Sequence, residues 1–354
     1  MKKIGILPLL FLSLFAFAQK QFVVQGNGTT QTFDNINAAI EGASAGDTLY
    51  LPGGGFTISA NVEKPLHWRG VGHYPDSTIA TGHTQIINYT TTFTGNCDNS
   101  TFEGIYFQTN LNFGSNDNEA TGIVIKRCRI GGTLLLRSIA DISSVNPDLN
   151  CRVSESVLGH INANNGMNCR FEQNLIFGNF YNFYQCYFSH NSINTYQSSS
   201  RVIDNCHNCQ FINNVFAMSY GFYRESSNCN FKNNLFVNNL IYNPATSSFT
   251  GSGNITNVGY GNIYTSITGE VRHFAYENDY HLNTSATGID EEGNEGVNIV
   301  GKATDGTNMG IYGTNQPYKE GAVPYNPHIR SVDIDNEASN GELGVKITVG
   351  AQER

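Results

Sequence analysis

Between residues 128 and 239 the chain repeats one phrase in which apolar and polar positions alternate. Four clear copies read Cys-x-Phe-x-x-Asn and begin at Cys169, Cys186, Cys209 and Cys229. Weaker copies begin at Cys128 and Cys151, and successive copies start 17 to 23 residues apart. Residues two positions apart share one face of a strand, so Cys and the following apolar residue are expected to point inward. A period near 20 residues with strand-like alternation and no helical period predicts a stacked β-solenoid.

The asparagine five positions after each repeat cysteine is expected at a turn. Its amide can bond the backbone or the equivalent asparagine of the next coil, and asparagine tolerates left-handed backbone geometry. The chain has eight cysteines, and six of them occupy the same repeat position. We therefore favour an inward column of buried thiols over four disulfides, with Cys97 and Cys206 in an adjacent column.

The ends of the repeat region carry their own signals. Thr32–Ile40 has apolar residues at helical spacing with Asp34 as a plausible N-cap, and Ala45–Gly54 reads as a first strand. With the repeats, these features resemble the right-handed parallel β-helix superfamily, the pectate-lyase-like fold, and in particular exported β-helix repeat proteins of Bacteroidetes-type bacteria. The resemblance covers about residues 22 to 313, and it implies an all-β solenoid with an N-terminal capping helix. The segment from Thr304 to Gly313 resembles the one that commonly closes such helices.

The N-terminus is typical of a secretory signal peptide. Lys2 and Lys3 precede an apolar run from Ile4 to Phe17, and Ala16-Phe17-Ala18 forms a small-x-small cleavage site. We expect a signal peptide at 1–18, the β-helix at 19–313 and a short β-hairpin-like tail at 314–354. No cysteine lies directly after the cleavage site, so a lipid anchor there is not expected. No second apolar span follows, so we expect a secreted, periplasmic or cell-surface protein with no transmembrane segment in the mature chain.

Composition narrows the function only by exclusion. The net charge is −9, and charged residues make up 14% of the chain against about 25% in average soluble domains. An acidic chain lacks the basic footprint that nucleic-acid binding needs. With 39% hydrophobic and 12% aromatic residues, the chain can form a core, so disorder is not expected.

The residue after each repeat cysteine is expected to point outward. It is Arg129, Arg152 and Arg170 in three successive copies and Tyr187 in the next. Arginines stacked at strand spacing could line a groove for an acidic polysaccharide, because guanidinium pairs with carboxylates in a bidentate way. The alternative is a surface ion-pair network with acids such as Glu155 and Glu172. Further outward aromatics that could stack on sugars are Tyr181, Tyr184, Tyr220 and Tyr223.

Catalytic and metal signals are weak. The few acids between residues 142 and 250 lie at different repeat offsets, so no paired carboxylates are expected and the catalytic residues stay unknown. His67, His73, Asp76 and His83 match no compact metal motif, and a loop with solvated histidines is favoured. No cofactor is expected. A calcium-stabilised loop at Asp290–Glu295 is an alternative to a solvated acidic turn.

These observations favour an exported, non-catalytic β-helix protein that binds polysaccharide at or outside the cell surface. A divergent polysaccharide lyase or glycoside hydrolase is one alternative, because the resembled scaffold carries both. A structural, adhesin-like surface protein is the other. The sequence does not give the ligand or the oligomeric state.

Overall fold

The chain folds as a parallel β-solenoid whose coils stack along one axis. The computed structural model describes residues 21–79, 81–114, 118–137, 147–195, 202–218, 223–238, 248–319, 328–335 and 342–350, the side chains of 328–330 and 350 excepted. The signal-peptide prediction therefore lies outside the described residues. Two large sheets of 12 and 14 strands make up the coils, and strands in successive coils pair in parallel, which confirms the predicted solenoid.

Each coil contributes strands to as many as three faces. Face A consists of Thr48–Tyr50, His67–Arg69, Thr101–Glu103, Val124–Lys126, Arg152–Ser154, Arg170–Glu172, Tyr187–Ser189, Gln210–Ile212, Cys229–Lys232 and Phe249–Ser252. Face B consists of Gly54–Phe56, Thr84–Ile86, Tyr106–Phe107, the first parts of Arg129–Leu135 and Val157–Met167, then Leu175–Ile176, Ser192–Thr195, Val215–Met218 and Leu235–Phe236. Face C consists of Thr90–Phe93, Asn110–Phe113, the last parts of the two long strands, Phe180–Tyr184, Ile203–His207 and Tyr223–Arg224. Short 3₁₀ turns lie at Pro75–Ser77 and Gly95–Cys97.

Register places five of the six repeat cysteines in one inward column. Arg152 is paired with Arg170, Arg170 with Tyr187, and so on along face A, which aligns the residues before them: Cys151, Cys169, Cys186, Cys209 and Cys229. Cys128 is the exception, because its amide donates to Ser156 Oγ and it thus occupies the asparagine position of its coil. All eight cysteines are buried free thiols, so the thiol column is confirmed with one member misplaced.

The asparagine ladder is confirmed, but the residue with left-handed backbone geometry is not the ladder asparagine itself. Asn174, Asn191, Asn214, Asn234 and Asn254 are buried, and each amide side chain donates to the Oδ1 of the next where one follows. The left-handed residue is the one before each ladder asparagine: Gln173, His190, Asn213, Asn233 and Gly253, with φ between 49° and 68°. The backbone thus turns at one residue and sends the next side chain inward.

Aromatic rings stack along the core in the same register. Phe171, Phe188, Phe211 and Phe231 follow one another with ring centroids 4.7–5.0 Å apart and planes within 9° of parallel. The spacing matches the separation of paired strands, about 4.8 Å. The core is therefore a set of one-residue columns rather than an irregular cluster.

The first coils are preceded by a helix and an antiparallel pair. The strands Phe22–Gly26 and Thr29–Phe33 extend face A, and the helix Ile36–Gly42 contacts both. Asn35 caps this helix by accepting a hydrogen bond from the Ala38 amide (2.9 Å), so the N-cap prediction at Asp34 was wrong.

The parallel coils end near Ile255, earlier than the predicted limit at residue 313. Residues 258–318, here called the return segment, run back over the outside of face B as far as Tyr74 near the first coils. The segment contains the antiparallel pairs Tyr264–Ser266 with Asp279–Leu282 and Thr287–Ile289 with Glu295–Asn298. It covers apolar outward residues of face B, among them Val157, Leu175, Val215 and Leu235. The segment 304–313 therefore does not close the end of the solenoid.

The predicted C-terminal β tail is confirmed as an antiparallel pair. Strand His328–Ile334 pairs with Val345–Gly350. Val332, Ile334, Val345, Ile347 and Val349 on this pair are each 45–57% exposed.

Candidate functional site: a basic groove on face A

Three of the side chains that the sequence predicted to point outward lie together on the outer surface of face A. Arg152, Arg170 and Tyr187 are in direct register on three neighbouring strands. The Arg170 guanidinium lies 4.9 Å from the Tyr187 ring centroid and 3.7 Å from Glu172. Arg152 is exposed and has no ion-pair partner among the residues that the structure describes. The predicted outward column is thus confirmed for these three residues.

Two adjoining cavities meet at Arg152. One, of about 500 Å³, has on its lining Arg152, Arg170, Tyr187, Gln185 and Cys169. The other, of about 600 Å³, has on its lining Lys126, Arg152, Glu172, Ser189 and residues 314–316. We call the two together the face A groove. The volume of each cavity lies within the range of small-molecule binding clefts.

The return segment forms one wall of the groove. Gln173 donates from Nε2 to the backbone oxygens of Gly313 and Gln316, and Asn213 and Thr304 exchange two hydrogen bonds of 2.9 Å. These contacts hold the segment over the turn between faces A and B, where the left-handed residues lie. The wall is therefore tied to the repeat geometry itself.

Ser189 and His190 lie at the base of this wall. Ser189 Oγ is 2.8 Å from His190 Nδ1, and both residues are buried. Burial lowers the pKa of His190, although the nearby Asp305 carboxylate acts in the opposite direction. The imidazole is therefore neutral near pH 7.

The carboxylates near the groove are each engaged by cations. Glu155 accepts from Arg127 Nε at 2.9 Å and lies 3.0 Å from Lys126 Nζ. Glu103 pairs with Arg69 at 3.3 Å, and Glu172 lies beside Arg170. The ion-pair network predicted as the alternative to a binding groove thus exists around Glu155 and Glu172, but Arg152 lies outside it.

Arg129 is not part of the column, which corrects the sequence prediction. It begins a face B strand, where it pairs with Tyr106 and Val157. Its guanidinium lies 4.6–5.2 Å from the rings of Tyr106, Phe274 and Tyr276, and it donates to the Tyr276 hydroxyl at 2.9 Å. Because Cys128 occupies the asparagine position, the next residue lies beneath the return segment instead of on face A.

The predicted tyrosines fall on a different face. Tyr181 and Tyr184 lie half-buried on face C, in register with Asp204 and His207, and the Tyr181 hydroxyl accepts from Asn179. Tyr223 is 3% exposed and its hydroxyl donates to the Ser248 carbonyl, so its placement as an outward residue was wrong. Tyr220 lies outside the described residues. The structure therefore does not bring Tyr181, Tyr184 or Tyr223 to Arg152 and Arg170.

The early histidines do not converge. His67 bonds Thr101 on face A, His83 bonds Gln85, and His73 is buried 3.4 Å from the Tyr276 hydroxyl. Burial and the charge of Arg129 lower the pKa of His73 to about 3. Within the described ranges no group of three or more His, Cys, Asp or Glu side chains is arranged to hold a metal ion.

The acidic turn at Asp290–Glu295 has a structural contact that the sequence did not predict. Glu291 Oε1 accepts from both the backbone amide and Nδ2 of Asn254, each at 3.1 Å. Asp290 accepts from Asn294. Glu291 thus supplies the acceptor that a further ladder asparagine would otherwise provide.

Sequence reasoning missed the groove residues contributed by turns and by the return segment. Lys126 ends the face A strand Val124–Lys126 and Gln173 follows the strand Arg170–Glu172, so the repeat register could have indicated both. Residues 314–316 belong to no repeat, so no periodicity could place them beside Arg152.

Across the described part of the chain, no helix is long and apolar enough to span a membrane. Comparisons with protein-family models, with curated proteins and with solved structures found no match for this chain.

Proposed function

We propose that the protein binds an acidic polysaccharide in the face A groove. The observation that carries the proposal is the exposed guanidinium of Arg152, which lies in register with Arg170 and at the junction of the two cavities. Arginine pairs with carboxylates through two parallel hydrogen bonds, and uronate sugars carry one carboxylate per ring. The Tyr187 ring beside Arg170 adds an aromatic surface of the kind that packs on sugar rings.

A second part of the proposal concerns where this binding takes place. The basic, apolar and small-residue order of the first 18 residues supports export to the periplasm, the cell surface or the medium. Extracellular location is consistent with a polymeric ligand. We likewise propose that the chain belongs to the pectate-lyase-like superfamily, which the repeat pattern supports. We propose that the coil is right-handed, because parallel crossovers strongly prefer that hand.

The binding experiment is a calorimetric titration of the protein with soluble polygalacturonate at low and at moderate salt concentration. Arg152→Ala and Arg170→Ala are each expected to weaken binding about tenfold or more, because a charge-assisted hydrogen bond contributes about 1.5–3 kcal/mol. Arg152→Lys keeps the charge and loses the bidentate geometry, so we expect an intermediate affinity.

Arg272→Ala is the matched control, because Arg272 lies on the return segment beside Glu270 and lines neither cavity of the face A groove. It removes one positive charge and is expected to leave affinity unchanged. Binding that survives both groove substitutions, or equal binding of a neutral glucan, would contradict the proposal. Release of unsaturated or reducing ends from the polymer would instead support the lyase or hydrolase alternative.

A further inference from the structure

A third cavity lies beneath the return segment, outside the face A groove. It measures about 260 Å³. Its lining comes from three separate parts of the chain: the loop with Tyr74, Asp76 and Ser77, then Leu175 of face B, and five residues of the return segment. Five of the lining residues are tyrosines, namely Tyr74, Tyr276, Tyr280, Tyr312 and Tyr318.

Four of the tyrosines form two pairs in which the ring planes meet at a steep angle. Tyr74 and Tyr276 have centroids 4.6 Å apart and planes at 65°, and Tyr312 and Tyr318 have centroids 6.2 Å apart and planes at 89°. The hydroxyl oxygens of Tyr74 and Tyr318 are 3.0 Å apart, so a hydrogen bond links the two pairs. Rings that meet at steep angles form walls on several sides of one small volume.

The hydroxyl groups of this cavity are engaged with the protein. The Tyr276 hydroxyl donates to the His73 carbonyl at 2.8 Å and accepts from Arg129 at 2.9 Å. The Tyr280 hydroxyl accepts from Asn278 Nδ2 at 3.0 Å. These bonds fix the rings before a ligand arrives, and a preorganised site loses less conformational entropy on binding.

The electrostatic character of the cavity favours a cation. Asp76 is exposed and is the one formally charged side chain on the lining. Tyrosine rings carry negative potential on their faces and attract ammonium and guanidinium groups. Arg129 is a second charged group close to the cavity, because its guanidinium lies against Phe274 and Tyr276, but it does not line the cavity.

A metal ion does not suit these walls. Hard cations need several oxygen ligands, and the cavity offers one carboxylate. A quaternary ammonium group spreads its charge over methyl groups and pairs with ring faces instead. The volume of about 260 Å³ is slightly below the range of drug-sized pockets, which fits one small head group.

We propose that this tyrosine cavity binds the quaternary ammonium head group of a small organic cation. The site is separate from the face A groove, although both use the stretch of the return segment around residues 312–318 as a wall. The proposal therefore does not depend on polysaccharide binding by Arg152.

The test is a calorimetric titration of the full chain with choline and, as a neutral isostere, with 3,3-dimethylbutanol. Choline is expected to bind about tenfold more tightly than the isostere, because only the cation gains from the ring faces and from Asp76. Equal affinity for the two would overturn the proposal. Displacement of choline by glucose or galactose at similar concentrations would overturn it too, because the cavity would then be a sugar site.

Two substitutions connect the binding to this cavity. Tyr312→Ala and Asp76→Asn are each expected to weaken choline binding severalfold, and Tyr89→Ala is the control because that tyrosine is 81% exposed elsewhere. Asp76 is exposed, so its substitution tests the site even where Tyr312→Ala impairs folding. Choline affinity that neither substitution alters would refute the assignment. Arg152→Ala is expected to leave choline affinity unchanged, which separates this result from the outcome of the polygalacturonate experiment.

Discussion

Each inward asparagine in the ladder carries the same pattern of hydrogen bonds. Asn191 donates through Nδ2 to the Phe171 carbonyl and to Asn214 Oδ1, both at 2.9 Å, and its Oδ1 accepts from the backbone amide and side chain of Asn174. All of these groups are buried. The amide therefore satisfies backbone groups at a turn where no strand partner is available.

We expect Asn191→Ala to lower the free energy of unfolding by about 3 kcal/mol, because several buried donors and acceptors lose their partners together. Urea unfolding measures the total loss. Hydrogen exchange of the coils on either side tests whether the damage is local, as nearest-neighbour coupling in a solenoid requires.

The control for the ladder is Asn230→Ala, since Asn230 lies on the outer surface of face A in the same repeat array. A change within about 0.5 kcal/mol is expected there. Equal destabilisation by the two substitutions would mean that the ladder contributes nothing specific.

His73 makes stability depend on pH. Its pKa falls from 6.5 in the unfolded chain to about 3 in the fold, mainly through burial. The unfolded chain therefore binds the proton more readily between these values. The stability that His73 contributes is complete above pH 6.5 and is lost as the pH falls, by at most about 1.4 kcal/mol per pH unit until about pH 3.

His73→Phe removes this titration, so its unfolding free energy is expected to fall less steeply than that of the parent between pH 6.5 and 4. Denaturant titrations at several pH values measure the two slopes. His273→Gln, at an exposed position, is expected to keep the parental slope. A His73→Phe slope equal to the parental one would contradict the role given to burial.

At the scale of elements, the return segment is the feature that gives the solenoid two different outer surfaces. It covers the apolar outward column of face B and leaves the outer column of face A open. Ile311 is 1% exposed and belongs to the apolar cluster that the return segment forms with the outward residues of face B. The Gly310 amide donates to the Asn213 carbonyl at 2.8 Å. Burial of apolar area and repeat-turn hydrogen bonds together hold the segment in place.

Ile311→Ala is expected to destabilise the segment by about 2–4 kcal/mol, the usual range for removing a buried branched side chain. Hydrogen exchange should increase in residues 302–318 while the strands of faces A and C stay protected. Ile79→Ala, at a position 78% exposed, serves as the matched control with little expected effect. Simultaneous loss of protection in the coils would show that the segment and the solenoid unfold as one unit.

The elements differ in how far the sequence could predict them. The repeat copy at Cys209 predicted both the strand there and the inward position of Cys209 and Phe211, because the repeat determines the length of each coil and which residues face the core. Cys128 misled the alignment, since its coil carries Ile123 at the cysteine position and cysteine at the asparagine position. That shift by five residues also moved Arg129 from face A to face B.

The return segment could not be predicted from periodicity, because residues 258–318 contain no copy of the repeat. The groove wall at residues 314–316 and the tyrosine cavity depend on contacts between positions more than 100 residues apart, such as Gln173 with Gln316 and Tyr74 with Tyr318. Only the three-dimensional path of the chain brings them together. Arg152, Arg170 and Tyr187 were predictable for the opposite reason, since one register rule places all three.

For the whole molecule, the stacked columns account for the unusual composition. The chain has 45 asparagines, and many of those in the repeats lie in the inward ladder, as Asn191 does, or at left-handed turn positions, as Asn213 does. The coils are stabilised by backbone hydrogen bonds between paired strands and by the stacked side-chain columns, so the fold needs few ion pairs. A low content of charged residues is therefore compatible with a well-ordered fold.

The thiol column gives a prediction about the molecule as a unit. All eight cysteines are free and buried. Burial raises the pKa of Cys97 and Cys128, which lie outside the column, to about 12, whereas in the column hydrogen bonds from Cys169 and Cys209 outweigh burial and lower the pKa of Cys186. Because all eight sulfurs are buried, a reagent does not reach them in the fold, and the native protein is expected to react negligibly with a disulfide reagent at pH 8. Eight thiols should become reactive in denaturant without added reductant, and reductant should leave the melting temperature unchanged. Four or fewer reactive thiols under those conditions would instead require disulfides, and the cysteines could not then form the continuous column that aligns the coils.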